Sequence, residues 1–128
     1  MQKSLITVGA VYAFLGVLIG AFGAHALAAT LELHGTRATY ETGVQYQLVH
    51  ALGLMILGIL SAREESSKLV WAGRLMIIGI ALFSFSLYVL ALTGVRILGA
   101  ITPFGGLCFL VAWILVALWG IEKPQTIS

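Results

Sequence analysis

The chain has 128 residues, 60% of them hydrophobic and 9% charged, with a mean hydropathy of +1.05. A soluble domain of that size has too little interior to hide so much apolar surface, so the composition excludes an ordinary soluble fold. The net charge of +2 comes from seven basic residues scattered near the ends of apolar runs; they form no patch, which argues against nucleic acid as a partner.

The charges also mark out the elements. After Lys3 no charge appears until Glu32; Arg37 and Glu41 follow, and the next is Arg63. Between Arg74 and Arg96 lie 21 uncharged residues, and between Arg96 and Glu122 lie 25. At about 1.5 Å per residue each gap is long enough to cross roughly 30 Å of hydrocarbon. The pattern predicts an all-α polytopic membrane protein, a single four-transmembrane-helix bundle over residues 1–128, with spans near 5–29, 42–62, 71–93 and 98–120.

The first span opens on Lys3 and reaches Ala24-His25-Ala26, a text that also suits a signal peptide, but its apolar run exceeds the usual 7–15 residues of such a segment. Gly9, Ala13, Gly16, Gly20 and Ala24 recur at a spacing of four. That small-residue stripe, with Gly23 beside it, lets another backbone approach closely, either within the bundle or from a second copy. From Leu31 to Gly43 runs the one sizeable polar stretch outside the membrane. Gly35 and Thr36 make a plausible helix start and Arg37 and Glu41 stand at i, i+4, so this stretch extends the second helix beyond the bilayer. Along that helix Gly43, Tyr46, Gln47, His50, Gly53 and Leu54 recur at three and four and form one inward face. Ala62 to Lys68 reads as a solvated hairpin loop.

In the third span Ser84 and Ser86 stand two apart and cannot share a helix face, so one of them bonds back to its own helix. Tyr88 reads as an interfacial belt residue together with Tyr40 and Tyr46, and Trp71 and Trp119 fall at the opposite interface. Arg96 closes a tight turn as a snorkelling anchor, the alternative being attraction of an anion or a lipid head group. In the fourth span Thr102 and Pro103 fall about one and a half turns in. Pro103 frees the Gly99 carbonyl and Gly105 and Gly106 loosen the next turn, which predicts a bent or unwound start. Cys108 has no second cysteine to pair with.

Five basic residues, Lys3, Arg63, Lys68, Arg74 and Lys123, share the side of the termini, against Arg37 and Arg96 on the other. This predicts cytoplasmic termini. On that topology the unusual residues meet in the outer leaflet: His25, Tyr46, Gln47, His50, Ser84, Ser86, Tyr88 and Thr102 form the candidate polar site of a small binding or transport unit, the alternative being a structural or accessory subunit of a larger membrane complex. Polar groups facing lipid lack partners, so His25 and His50 are expected to point inward and share one site. The packing candidates are Gly16, Gly20, Gly23, Gly105 and Gly106. No nucleotide-binding, zinc-protease, paired-cysteine or serine-hydrolase motif is present and no carboxylate lies inside a span, so neither an enzyme nor a metal or other cofactor is called for. Two histidines alone are a weak case for a haem or soft metal. The expected partners are the bilayer and either a second copy or another membrane protein.

Gly20-Ala21-Phe22-Gly23-Ala24-His25-Ala26-Leu27, Tyr46-Gln47-x-x-His50-Ala51-Leu52, Leu82-Phe83-Ser84-x-Ser86-Leu87-Tyr88 and Ile101-Thr102-Pro103-Phe104-Gly105-Gly106 resemble, in order and spacing, the small membrane proteins of domain of unknown function 423. That family is also called uncharacterised protein family 0382 and is similar to eukaryotic transmembrane protein 256. Phe85 departs from the Ser-Gly-Ser usual in the family, and Tyr40 stands where a tryptophan is common. The resemblance implies a four-span bacterial inner-membrane protein with no established activity, and it supplies no substrate.

Overall fold

A computed structural model describes residues 2–122. Lys123, one of the charges counted on the terminal side, lies outside the described residues. The chain forms α1 (Gln2–Ala24), α2 (Ala28–His34), α3 (Arg37–Arg63), α4 (Ser67–Thr93), a 3-10 turn (Arg96–Ala100) and α5 (Thr102–Gly120). Among the described residues four segments are long and apolar enough to cross a membrane, Lys3–Ala24, Arg37–Arg63, Ser67–Thr93 and Arg96–Gly120. The protein is therefore an all-α membrane bundle of four spanning helices.

The helices are not equivalent. α1 packs on α3, α3 on α4 and α4 on α5. In the most apolar stretch of α3 and of α4 44% of residues are buried, against 17% in α1 and in the 3-10 turn plus α5. The middle pair thus carries the core and the flanking pair turns most of its surface outward. Phe14, Val17 and Phe22 of α1 and Phe104, Leu107 and Leu110 of α5 are exposed, as suits helices whose solvent is lipid.

Small residues set the helix approach. A Cβ on Gly9 would stand 2.7 Å from the Ala51 carbonyl oxygen, and one on Gly16 2.7 Å from the Leu48 side chain. Gly20 faces Val44 and Gly23 lies under the Tyr40 ring. The stripe on α1 is therefore the seat of α3 within the same bundle; Ala24, at its end, is exposed at the edge of the groove between the two helices. On the opposite side a Cβ at Gly105 would fall 2.4 Å from the Phe83 backbone nitrogen, so α4 and α5 touch almost backbone to backbone. Gly106 is looser, with its nearest atoms on the Phe83 ring at 3.8 Å.

The two ends differ from the expected boundaries in instructive ways. α1 stops at Ala24 rather than continuing to residue 29, and His25 to Leu27 form a turn in which the Leu27 amide bonds the Phe22 carbonyl at 2.8 Å. The connector is no loose solvated link: α2 buries Leu31, and Thr36 donates to the Ala91 carbonyl at 2.7 Å, fastening the start of α3 to the end of α4. Arg37 and Glu41 do pair, at 3.9 Å on an exposed face. At the other end the α3–α4 hairpin turns through Glu64 to Ser66, and Lys68 pairs with Glu122 just past α5. Thr102 opens α5 instead of lying within it, and Pro103 sits in the first turn, where the missing donor has no intrahelical partner to lose. The preceding 3-10 turn supplies the irregular entry to this helix.

Candidate functional site

The polar residues of the connector half converge between α1, α3 and α4, with Gln47 at the centre. Its side chain is fully buried; Nε2 donates to the Tyr12 carbonyl of α1 at 2.8 Å and Oε1 accepts from the Tyr88 hydroxyl of α4 at 2.6 Å. One amide thus ties three helices together. Unpaired, the same group would lose several kcal/mol in hydrocarbon. One turn away Ser84, also fully buried, donates to the Gly43 carbonyl at 2.7 Å. Gly43 permits this approach, because a Cβ there would stand 2.7 Å from the Tyr88 ring. Tyr40 completes the group: its hydroxyl donates to the Ile19 carbonyl and its ring lies 5.3 Å from that of Tyr88.

A second cluster joins α3 and α4 to α5. His50 Nδ1 lies 2.7 Å from the Tyr46 carbonyl, and Nε2 lies 2.9 Å from Trp113 Nε1. A carbonyl can only accept and an indole N–H can only donate, so the imidazole is neutral with its proton on Nδ1. Its face stacks on Phe109 at 3.6 Å. Ser86 meets its own Phe83 carbonyl at 2.9 Å and the Thr102 hydroxyl at 2.8 Å, which hooks the start of α5 onto α4.

The expected residues are thus divided. Gln47, Ser84 and Tyr88 meet in one network; His50, Tyr46, Ser86 and Thr102 lie on the α5 side. His25 joins neither. It is exposed in the turn after α1, with no side-chain partner among the described residues, while His50 is 3% exposed beneath Phe109 and Trp113. The expectation of one site shared by both histidines is therefore overturned. The physical reason is the early end of α1, which leaves His25 beyond the helix face it would have occupied. The belt reading also fails for Tyr40 and Tyr88, which are 3% and 6% exposed and bonded inside the bundle. Tyr46, at 41%, is the exposed one of the three.

Three participants are absent from the sequence reading. Tyr12 lends its carbonyl to Gln47 and its hydroxyl to the Ile77 carbonyl at 3.3 Å. Trp113 supplies the donor to His50, and Phe109 the stacking face. Gly106, Phe109 and Trp113 recur at three and four on α5, a signal available in the text; nothing comparable marks Tyr12, whose contribution to Gln47 is backbone.

The Tyr46 hydroxyl has no hydrogen-bond partner among the described residues. Its ring leans on Phe83 at 4.6 Å and edges a groove of about 410 Å³ that Pro103, Leu107 and Trp113 also line. No cluster of three or more His, Cys, Asp or Glu able to hold a metal occurs among the described residues.

Residues 19–106 match the model of the family described as protein of unknown function DUF423. The chain belongs to that family. It is 45% identical to a UPF0382 membrane protein of Staphylococcus haemolyticus over 117 residues, covering 91% of this chain and 94% of the relative. It is 42% identical to the UPF0382 membrane protein YwdK of Bacillus subtilis over 122 residues, covering 94% and 98%. A Staphylococcus aureus relative, also named a UPF0382 membrane protein, is 41% identical over 117 residues, covering 91% and 94%. No solved structure gives a significant match. The matched segment contains Gln47, His50, Ser84, Ser86, Tyr88 and Thr102, while Tyr12 and Trp113 lie outside it.

Proposed function

We propose that this DUF423 protein is a non-catalytic structural or accessory subunit of the bacterial cytoplasmic membrane, whose polar residues hold its helices in register for a larger membrane partner. The supporting observation is closure of the polar network: both ends of Gln47, both nitrogens of His50 and the hydroxyls of Tyr40, Ser84, Ser86 and Tyr88 already meet groups of the same chain. A binding site keeps polar atoms free for its ligand, and this cluster has none to offer. The largely exposed faces of α1 and α5 provide surface for the partner. Isolation of the tagged full chain in a gentle detergent should yield a stoichiometric membrane-protein partner; a lone homo-oligomer overturns the accessory role. The five-to-two distribution of basic residues supports cytoplasmic termini. An impermeant thiol reagent applied to intact cells should label Ala38→Cys and spare Ser67→Cys; the reverse pattern inverts the topology.

One observation favours a second reading, small-ligand binding in the groove that Tyr46 lines beside His50 and Trp113. Tyr46 lines the groove between α3, α4 and α5, and its hydroxyl has no hydrogen-bond partner among the described residues. A ligand there would raise the melting temperature in proportion to RT ln(1 + [L]/Kd), and Tyr46→Phe would abolish the rise.

A further inference from the structure

At the connector end a groove of about 570 Å³ runs between the end of α2, the start of α3 and the end of α4 with the turn after it. His34, Thr39 and Arg96 line it together with Leu33, Leu87 and Leu90. No carboxylate lines it. Of the acids on this end, Glu41 pairs with Arg37 and lines the separate groove between α1 and α3, and Glu32 is exposed on α2 outside both linings. Arg96 is exposed and has no ion-pair partner among the described residues. His34 lies against Gly94, where an added Cβ would stand 3.1 Å from its Nδ1, and the Gly94 φ of 73° is what requires glycine in this turn.

The surroundings are apolar where a water-facing surface would be polar. Leu33 is 82% exposed and Ile97 78%, on the two segments that flank the groove. α4 has 27 residues, about 40 Å of helix, which exceeds roughly 30 Å of hydrocarbon by enough to place its last turn at the depth of the head groups. A cation, an imidazole and three leucines lining one groove, at that depth and beside exposed aliphatic side chains, match one amphipathic occupant. The guanidinium fork suits phosphate oxygens, and the leucines suit the first methylenes of an acyl chain.

We propose that this groove binds the phosphate of an anionic membrane phospholipid, held by Arg96 with His34 and Thr39, with an acyl chain lying along Leu87, Leu90 and Leu33. The proposal is independent of the accessory role, since it uses none of the network residues.

The test uses the purified full chain in a neutral detergent, melted with added dioctanoyl phosphatidylglycerol, dioctanoyl phosphatidylcholine or inorganic phosphate. Phosphatidylglycerol should raise the melting temperature in a saturable way, well above the effect of phosphatidylcholine. Arg96→Gln should weaken the apparent affinity about tenfold, as expected for loss of a charge-assisted contact, with Arg96→Lys intermediate. Arg37→Gln removes a cation outside the groove and should leave the affinity unchanged. Equal stabilisation by the two lipids overturns the proposal, as does equal weakening by Arg37→Gln and Arg96→Gln, which would reduce the effect to general surface charge. A rise with inorganic phosphate as large as that with phosphatidylglycerol would identify a soluble anion and overturn the lipid assignment.

Discussion

The connector half and the hairpin half of the bundle are held together by different means. Toward the connector, Tyr40, Gly43 and Gln47 of α3 face Ser84, Tyr88 and Ala91 of α4, and hydrogen bonds cross the interface repeatedly. Toward the hairpin, Leu54 and Leu57 face Leu69, Ala72, Met76 and Leu5 in an almost purely apolar core. Lipid chains are as apolar as leucine, so the hairpin half gains little from burial as such and depends on close van der Waals fit. The connector half has directional bonds that fix rotation and axial register. A helix that slid by one residue would lose the Gln47 contacts at one end, whereas the leucines at the other would find new neighbours.

The largest effect should come where backbones touch, because no side-chain adjustment relieves it. Gly105→Leu drives new atoms into the Phe83 backbone and should abolish the folded, monodisperse species in size-exclusion chromatography. Gly106→Ala, one residue on, meets nothing closer than 3.8 Å and should leave the elution profile and melting temperature unchanged. Equal damage at both would mean that the close α4–α5 approach at Gly105 is not what sets this segment's tolerance.

In the hairpin half, Leu54→Ala or Met76→Ala removes a fully buried side chain from the apolar core. About 2–4 kcal/mol should be lost in a reversible detergent unfolding titration. Gln47→Leu in the connector half should cost less, about 1–2 kcal/mol, chiefly because the Tyr88 hydroxyl is left buried without an acceptor. The Tyr12 carbonyl keeps its intrahelical partner and suffers little. Tyr88→Phe in turn strands Gln47 Oε1, so Gln47→Leu combined with Tyr88→Phe should be less harmful than the sum of the two. A coupling of about 0.6–1.7 kcal/mol is expected from the cycle. Additivity within error would show that the pair is not what holds α3 against α4.

The same contrast explains what the sequence could and could not disclose. The four spans follow from charge-free intervals such as Arg74 to Arg96, because a bilayer imposes length and polarity on every segment at once. Gly43, Gln47, His50, Gly53 and Leu54 are buried on one face of α3, as their spacing predicts, since three-and-four periodicity is a property of the helix alone, but Tyr46, expected on the same inward face, is 41% exposed at its edge. Partners across helices are another matter. Gln47 reaches a Tyr12 carbonyl and Tyr40 an Ile19 carbonyl, and a backbone acceptor has no letter in the text. His25 lies off the predicted face because helix ends are decided by local turn geometry, here the Leu27 amide bonding back to the Phe22 carbonyl, which hydropathy does not register. The resemblance located the signature residues without saying which of them touch.

The smallest effects should separate the two serines of α4. Ser84 donates across to Gly43 from a site with no exposure, and removing it as Ser84→Ala deletes an interhelical bond. The Gly43 carbonyl still accepts its intrahelical amide, so no group is orphaned and the loss should be only about 0.5–1 kcal/mol. Ser86 makes one bond to its own helix and one to Thr102. Thr102 is half-buried at the first residue of α5, near the bundle end, where its hydroxyl can turn to water when Ser86 is gone. Ser86→Ala should therefore cost less than Ser84→Ala, within about 0.5 kcal/mol of the parent. Unfolding titrations of the two single variants decide the order. If Ser86→Ala proves the more damaging, water does not reach Thr102, and the start of α5 lies deeper in the hydrocarbon than the 3-10 turn before it implies.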